Sequence, residues 1–88
     1  MTVRIDRSFE RDAKNLPIDI QQRVKNLINK LLTSDSSIDI GAEKLAGAHN
    51  AYKIRIGNYR IGFYKEGDTI VLSRVLNRKE IYRYFPKK

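Results

Sequence analysis

Residues 52–64 read YKIRIGNYRIGFY, and this stretch decides the fold. Two runs that alternate between apolar and polar residues flank Gly57 and Asn58. A two-residue connection that begins with glycine is a strong signal for a β-hairpin, because glycine readily adopts the positive φ of such turns. With this turn as a two-residue loop, Arg55 lies directly opposite Arg60. The stretch therefore predicts an antiparallel hairpin in a fixed register.

The same register sorts the hairpin side chains onto two faces, because successive residues of a strand point to opposite sides. The predicted core face collects Tyr52, Ile54, Ile56, Tyr59, Ile61 and Phe63. The opposite face collects Lys53, Arg55, Arg60, Gly62 and Tyr64. Opposed arginines cost stability, and such a local conflict is where function is expected. We expect Gly62 to leave a gap beside them that a base or a backbone can approach.

The remaining residues indicate helices before this hairpin and one more strand after it. Residues 2–6 alternate like an edge strand, and residues 8–33 carry a helical apolar stripe that breaks at Pro17. We expect Ser8 to cap the first helix. Residues 33–41 are polar and predict a connecting loop.

The third strand of the meander follows a turn at Glu66-Gly67-Asp68, and both of its faces look partly buried. One face would hold Ile70, Leu72 and Leu76, and the other Val71, Ser73 and Val75. The side to which Arg74 points is left open by the sequence.

Length and composition limit the possible functions. The 88 residues predict a single domain over 1–88. The chain has no cysteine and one histidine, so disulfides, thiol catalysis and cysteine or histidine-rich metal sites are excluded. No apolar run is long enough to span a membrane, and the charged first residues do not resemble a signal peptide, so we expect a cytoplasmic protein. His49 is expected to be a loop residue.

The charge balance points to a polyanionic partner. Lys and Arg number 18 against 10 Asp and Glu, which gives a formal net charge of +8. Nucleic acid, an acidic protein and an anionic membrane all fit such a surface, as does a soluble domain that is merely basic. Residues 77–88 read NRKEIYRYFPKK, in which Tyr82 follows Arg78 by one helical turn. Aromatic side chains beside arginines suit base stacking, but they equally suit a tail anchored in the core.

Four ordered segments together resemble the RelE/ParE superfamily of bacterial toxins from type II toxin–antitoxin pairs. They are KLAG at 44–47, YKIRI at 52–56, YRI at 59–61 and VLNRKEIYR at 75–83. The resemblance extends over nearly the whole chain. It implies an α+β fold in which an N-terminal helical hairpin packs on a twisted antiparallel sheet of three to four strands.

The resemblance also implies an activity. RelE-type toxins cleave mRNA, usually in the ribosomal A site, without a metal or another cofactor. The ribose 2′-hydroxyl attacks the adjacent phosphate and leaves a 2′,3′-cyclic phosphate and a 5′-hydroxyl. Matched position by position, the implied catalytic residues are Lys53, Arg55, Arg60, Arg78 and Tyr82. Further RNA-binding candidates are Lys44, Tyr64, Arg74, Arg83 and Tyr84.

The implied partners are mRNA, the ribosome and an acidic antitoxin protein, without sequence-specific DNA binding by this chain. Three alternatives remain open. ParE-type members of the same superfamily poison DNA gyrase, although they tend to lack the full basic and tyrosine set. The chain could instead be a non-catalytic RNA-binding protein, or an inactive relative that only binds an antitoxin.

Overall fold

The computed structural model describes residues 2–33 and 41–86. Its elements are β1 (Thr2–Ile5), α1 (Arg7–Lys14), α2 (Ile18–Thr33), β2 (Glu43–Lys44), β3 (Ala51–Ile56), β4 (Tyr59–Glu66), β5 (Thr69–Asn77) and α3 (Ile81–Tyr84). The predicted combination of a helical hairpin and a sheet is confirmed. Most of the predicted loop at 33–41 lies outside the described residues, and a single domain over 1–88 stays a prediction.

The sheet has more strands than expected and is not purely antiparallel. Within the described residues it contains five strands in the order β1-β5-β4-β3-β2. β1 is an edge strand, as predicted, but it pairs in parallel with β5, from Thr2 opposite Thr69 to Ile5 opposite Leu72. The expectation of three to four antiparallel strands is corrected accordingly. Parallel strands cannot be joined by a tight hairpin turn. The chain between β1 and β5 accordingly passes through both helices and three further strands.

The two helices cover one face of the sheet, and a proline and an N-cap residue determine where they begin. Pro17 separates them, as predicted, because proline cannot continue α1 but fits before the first turn of α2. Asp6, not Ser8, occupies the N-cap of α1. Ser8 lies inside the helix and donates its hydroxyl to the carbonyl of Ser73 at 2.7 Å, so the expected cap is wrong. The buried core between helices and sheet contains Phe9, Leu16, Ile20, Val24, Leu31, Ile54, Ile56, Ile61, Phe63, Ile70, Leu72 and Val75.

A β-bulge in β5 determines which of its side chains enter this core. Ser73 has no partner in the register with β4, so the alternation of faces shifts by one residue at that point. Val75 consequently joins Ile70 and Leu72 in the core, while Leu76 faces the other side of the sheet. The simple alternation expected from the sequence is therefore wrong beyond Ser73.

A smaller cluster occupies the second face of the sheet and holds α3 in place. Ile81 and Phe85 are each 1% exposed and pack against the fully buried Ala51. α3 covers only part of this face, and the uncovered part carries the cationic side chains of the hairpin. No helix among residues 2–33 and 41–86 is long and apolar enough to cross a membrane.

Candidate active site

A cavity of about 350 Å³ opens between the uncovered part of the sheet and the C-terminal segment. It is lined by Gly41, Glu43, Lys53, Arg55, Arg60, Arg78, Lys79 and Tyr82. All five residues predicted as catalytic therefore lie around one cavity. Their catalytic role stays a prediction.

The hairpin register that brings three of them together is the predicted one. Arg55 lies opposite Arg60 and Lys53 lies opposite Gly62. Gly57 in the connecting turn has a φ of 57°, which is the conformation for which the turn needs glycine. The predicted core face is also confirmed, so the cationic side chains project away from the main core.

Arg60 is the most enclosed charge of the cavity, since only 9% of it is exposed. Its Nη1 donates to the carbonyl oxygens of Gly57 at 2.9 Å and Tyr59 at 2.8 Å. These bonds fix the guanidinium without neutralising it. Among the described residues, no carboxylate lies within 4.0 Å of Arg60, and its Nη2 donates no hydrogen bond. A charge in this environment is poorly solvated and is costly without a counter-charge.

Lys53 and Tyr82 form a direct contact between β3 and α3. Lys53 Nζ lies 2.8 Å from Tyr82 Oη and 5.5 Å from the centre of the ring, so the contact is made through the hydroxyl. Glu43 Oε2 lies 3.8 Å from the same Nζ. This carboxylate was missed in the sequence, because nothing there indicates that β2 pairs with β3 beside Lys53.

Arg78 reaches the cavity through the turn that follows β5. Its backbone N–H donates to the carbonyl of Asn58 at 2.8 Å, which holds this turn against the hairpin turn. Lys79 lines the cavity beside it, and its backbone N–H is held by Asn77 Oδ1 at 2.9 Å. No sequence pattern distinguishes Lys79 from the other cations of the tail.

The gap expected at Gly62 is filled by the protein itself. A Cβ at this position would overlap the ring of Phe85, so glycine is required for Phe85 to seat against the sheet. Tyr64 packs on the same ring, with the two ring centres 5.0 Å apart. The expectation that Gly62 admits a base is therefore wrong, and the glycine instead anchors α3 beside the cavity.

The remaining RNA-binding candidates do not line the cavity. Lys44 is exposed on β2, and Arg83 and Tyr84 are exposed on α3. Tyr64 is half-buried against Phe85. RNA binding by these side chains stays a prediction.

The single histidine lies apart from the cavity. His49 is exposed in a bend, as expected for a loop residue, and does not line the cavity. Over the described ranges 2–33 and 41–86, no group of three or more His, Asp or Glu side chains is arranged to hold a metal ion.

Arg74 makes an ion pair away from the cavity. Its Nε and Nη2 donate to the two carboxylate oxygens of Asp12 at 2.7 and 3.0 Å, and the backbone N–H of Val75 donates to Asp12 at 3.1 Å. The hydrogen bonds to Asp12 raise the pKa of Arg74, against the opposing effect of its burial. The Tyr84 ring centre lies 4.7 Å from the guanidinium carbon. Sequence reasoning did not find this ion pair. Its available signal is Asp12 itself, a charged residue on the apolar side of α1, three residues after Phe9.

The chain is similar in sequence to known toxins. Residues 3–82 match the family described as the ParE toxin of the type II toxin-antitoxin system parDE. The chain is 46% identical over 88 residues to Toxin RelE3 of Methanocaldococcus jannaschii, covering 98% of this chain and all of the relative.

The fold is also similar to those of solved toxin structures. A RelB–RelE antitoxin–toxin complex from Methanococcus jannaschii aligns with a TM-score of 0.82 and 43% identity, over 94% of this chain and 99% of the other. The archaeal RelE–RelB complex from Pyrococcus horikoshii aligns with a TM-score of 0.72 over 88% of this chain and 93% of the other, and at 20% identity it supports the fold alone. The chain therefore belongs to the ParE/RelE family of toxins from type II toxin–antitoxin systems.

Proposed function

We propose that this toxin acts as a metal-independent endoribonuclease that cleaves mRNA in the ribosomal A site and so stops translation in the cytoplasm. Lys53, Arg55, Arg60, Arg78 and Tyr82 are the proposed catalytic residues. They line one cavity whose only acidic side chain, within the described residues, is that of Glu43. The names of the similar proteins support a RelE-like toxin, and the cavity supports an anionic substrate.

The observation that carries the proposal is the state of Arg60. A guanidinium that is 9% exposed and has no carboxylate partner among the described residues is costly in a small fold. A bound phosphate would supply the missing negative charge. Since the hydrogen bonds from Nη1 to the hairpin turn already fix the side chain, little reorganisation is needed when the substrate arrives.

The proposed reaction needs charge stabilisation and two proton transfers. The 2′-oxygen forms a bond to phosphorus while the bond from phosphorus to the 5′-oxygen breaks. The 2′-hydroxyl proton passes to a base, and the departing 5′-oxygen receives a proton. Because the pentacoordinate transition state carries extra negative charge, arginine forks aimed at the phosphate oxygens lower its free energy.

The contact between Lys53 and Tyr82 supplies the proton-transfer groups. At 2.8 Å the two polar atoms are within hydrogen-bond distance, so a proton can pass between them, and both side chains line the cavity. Arg60 and Arg55 would bind the phosphate. Arg78, on the turn that follows β5, would stabilise the same charge or assist the departing 5′-oxygen.

An antitoxin is the second proposed partner. The similar solved structures from both archaea are complexes of a toxin with its antitoxin. The formal net charge of +8 would steer an acidic antitoxin toward this chain, as it would steer RNA. The complex, and not this chain alone, would make any contact with DNA.

Gyrase poisoning is the second candidate function, since the matching family is described as a ParE toxin. One experiment separates the two. The purified chain is incubated with ribosomes and mRNA in one reaction, and with gyrase and supercoiled DNA in another. Primer extension that finds new mRNA ends at A-site codons supports the nuclease. Intact mRNA together with trapped DNA breaks would overturn the nuclease in favour of the gyrase poison.

A further inference from the structure

A second groove lies beside the cavity, between α2 and the edge of β3. Its volume is about 260 Å³, and Arg55 lines both it and the cavity. The α2 side presents Arg23, Asn26 and Lys30, and the floor includes Ile54 and Ile56. The groove is therefore a lateral extension of the candidate active site and not a separate pocket elsewhere on the molecule.

The charges of this groove have one sign. Arg23, Lys30 and Arg55 are all exposed, and no Asp or Glu among the described residues lines the groove. Arg23 and Lys30 are seven residues apart on α2, so their backbones are about 10 Å apart along one side of the helix. Three cations at such positions attract an extended polyanion more than a single small anion.

A different groove, between α1, α2 and β1, lacks this property. It mixes Glu10 with Lys14 and Lys25, and apolar side chains such as Phe9 and Val24 line the rest of it. Its charges therefore do not select an anion. The contrast indicates that the cationic character of the Arg23 groove is local and does not merely follow from the net charge of the chain.

The position of Arg23 links this groove to the most buried cation of the cavity. A Cβ at Gly57 would lie 3.3 Å from Arg23 Nη1, so the guanidinium lies against the hairpin turn. The carbonyl oxygen of Gly57 accepts from Arg60 Nη1 at 2.9 Å. Guanidinium groups of Arg23 and Arg60 therefore flank the same turn, and Arg55 lies across the hairpin from Arg60.

We propose that the groove is a second RNA subsite, which binds backbone phosphates of the strand that flanks the cleaved bond. The inference rests on the proposed function, which places the cleaved phosphate at Arg60. β2 pairs with β3 only at Tyr52 and Lys53, so among the described residues no strand pairs with this edge of β3 from Ile54 onward. An RNA strand that leaves the cavity can cross that edge beside Arg55 and reach α2. Backbone contacts of this kind add affinity and fix the register of the RNA, but they do not select bases.

The test measures binding without cleavage, so that it does not depend on catalysis. The probes are a trinucleotide and an RNA of about twelve residues, within the range of single-strand site sizes. Both are 2′-O-methylated so that the attacking hydroxyl is blocked. Fluorescence anisotropy gives Kd for the wild-type chain, for Arg23→Gln/Lys30→Gln and for the control Arg11→Gln/Lys14→Gln, which removes the same charge from exposed positions of α1.

If the groove is an RNA subsite, the variant should lose affinity for the long RNA but not for the trinucleotide. Arg23→Gln/Lys30→Gln should weaken binding of the long RNA about tenfold and lower its logarithmic salt slope by about 1.4, the value for two phosphate contacts on a single strand. The trinucleotide should bind unchanged, and the control should have a smaller effect on the long RNA. Lys30→Gln alone, which leaves the hairpin turn untouched, should lower the slope by about 0.7.

Three outcomes would overturn the inference, and they differ in what else they affect. Equal binding of the long RNA by the Arg23→Gln/Lys30→Gln variant and the α1 control removes the subsite but leaves the proposed function standing. Loss of binding to a poly-glutamate peptide, with RNA binding unchanged, assigns the groove to an acidic protein instead. A wild-type chain that binds neither RNA contradicts the proposed function itself.

Discussion

Arg60 and Arg74 lie on neighbouring strands and are both largely enclosed, yet the protein holds them in opposite ways. Arg74 faces a carboxylate that accepts two of its hydrogen bonds, so its charge is neutralised inside the fold. Arg60 is held by the carbonyl oxygens of Gly57 and Tyr59, which orient the guanidinium, and no carboxylate in 2–33 or 41–86 pairs with its charge. The same residue type therefore joins α1 to β5 in one place and faces a cavity in the other.

This difference indicates where stability and function separate in the sheet. Removing one partner of a buried ion pair leaves an unpaired charge and is strongly destabilising. Removing a buried cation that has no carboxylate partner relieves a cost, and it should therefore affect the ligand more than the fold. Substitutions at the two arginines and around them should accordingly divide into those that slow cleavage and those that unfold the chain.

The largest expected effect is on catalysis, at Arg60. Arg60→Ala should slow single-turnover cleavage of mRNA about a thousandfold, because an oriented donor to the transition state is lost. The free energy of unfolding, measured by urea denaturation, should change by less than about 1 kcal/mol. Arg60→Lys retains a charge without the planar fork and should restore only part of the rate. An Arg60→Ala variant that cleaves at the wild-type rate would remove Arg60 from the site.

The converse experiment changes Asp12. Asp12→Asn should lower the free energy of unfolding by about 3 kcal/mol, because Arg74 loses its counter-charge. Cleavage by the folded fraction should be unchanged. Asp12→Asn/Arg74→Met removes both charges and should recover part of the stability. If Asp12→Asn abolished cleavage while the protein stayed fully folded, the separation between the two arginines would not hold.

A hundredfold effect is expected at Tyr82. Tyr82→Phe removes the hydroxyl that contacts Lys53 Nζ and should slow cleavage by about two orders of magnitude, the scale of a lost proton-transfer group. Tyr84→Phe is the matched control, because Tyr84 lies on the same short helix and is 49% exposed against 51% for Tyr82. The control keeps the aromatic ring that would stack on a base and loses only its hydroxyl, so it should cleave normally. Equal rates for the two variants would show that the Tyr82 hydroxyl has no role in proton transfer.

The smallest predicted effect tests the anchoring of α3. Gly62→Ala places a methyl group where the Phe85 ring lies, so α3 has to move and carries Tyr82 away from Lys53. We expect a stability loss of about 1 to 3 kcal/mol, typical of an overpacked core, together with slower cleavage. Phe85→Leu in the same chain should relieve the overlap and recover part of both. A Gly62→Ala variant with wild-type stability and rate would contradict the seating of Phe85.

Most of the correct predictions follow from patterns between residues that are close in sequence. The register of the hairpin follows from a two-residue turn and strict alternation, and it brought Lys53, Arg55 and Arg60 to one face without any tertiary information. Pro17 likewise separated the two helices. The resemblance to the toxin family then added Arg78 and Tyr82, which come from a segment that only the complete fold brings to the cavity.

What the sequence could not reveal depends on contacts between distant parts of the chain. The parallel pairing of β1 with β5 joins residues more than sixty positions apart, and no local pattern specifies it. The bulge at Ser73 reverses the expected faces of the residues that follow it. Gly62 was predicted to leave room for a ligand. The Phe85 ring fills that space, and only the packing of the complete fold places the ring there.

The most direct measurement of the central claim compares two mRNAs that differ by one oxygen. The wild-type chain is incubated with a ribosome-bound mRNA and with the same ribosome-bound mRNA carrying a single 2′-deoxy nucleotide on the 5′ side of the A-site bond whose cleavage is expected. Attack by the ribose hydroxyl predicts that the first mRNA yields a 2′,3′-cyclic phosphate and a 5′-hydroxyl and that the second stays intact at that bond. Equal cleavage of both mRNAs, or cleavage of neither, would contradict the proposed nuclease.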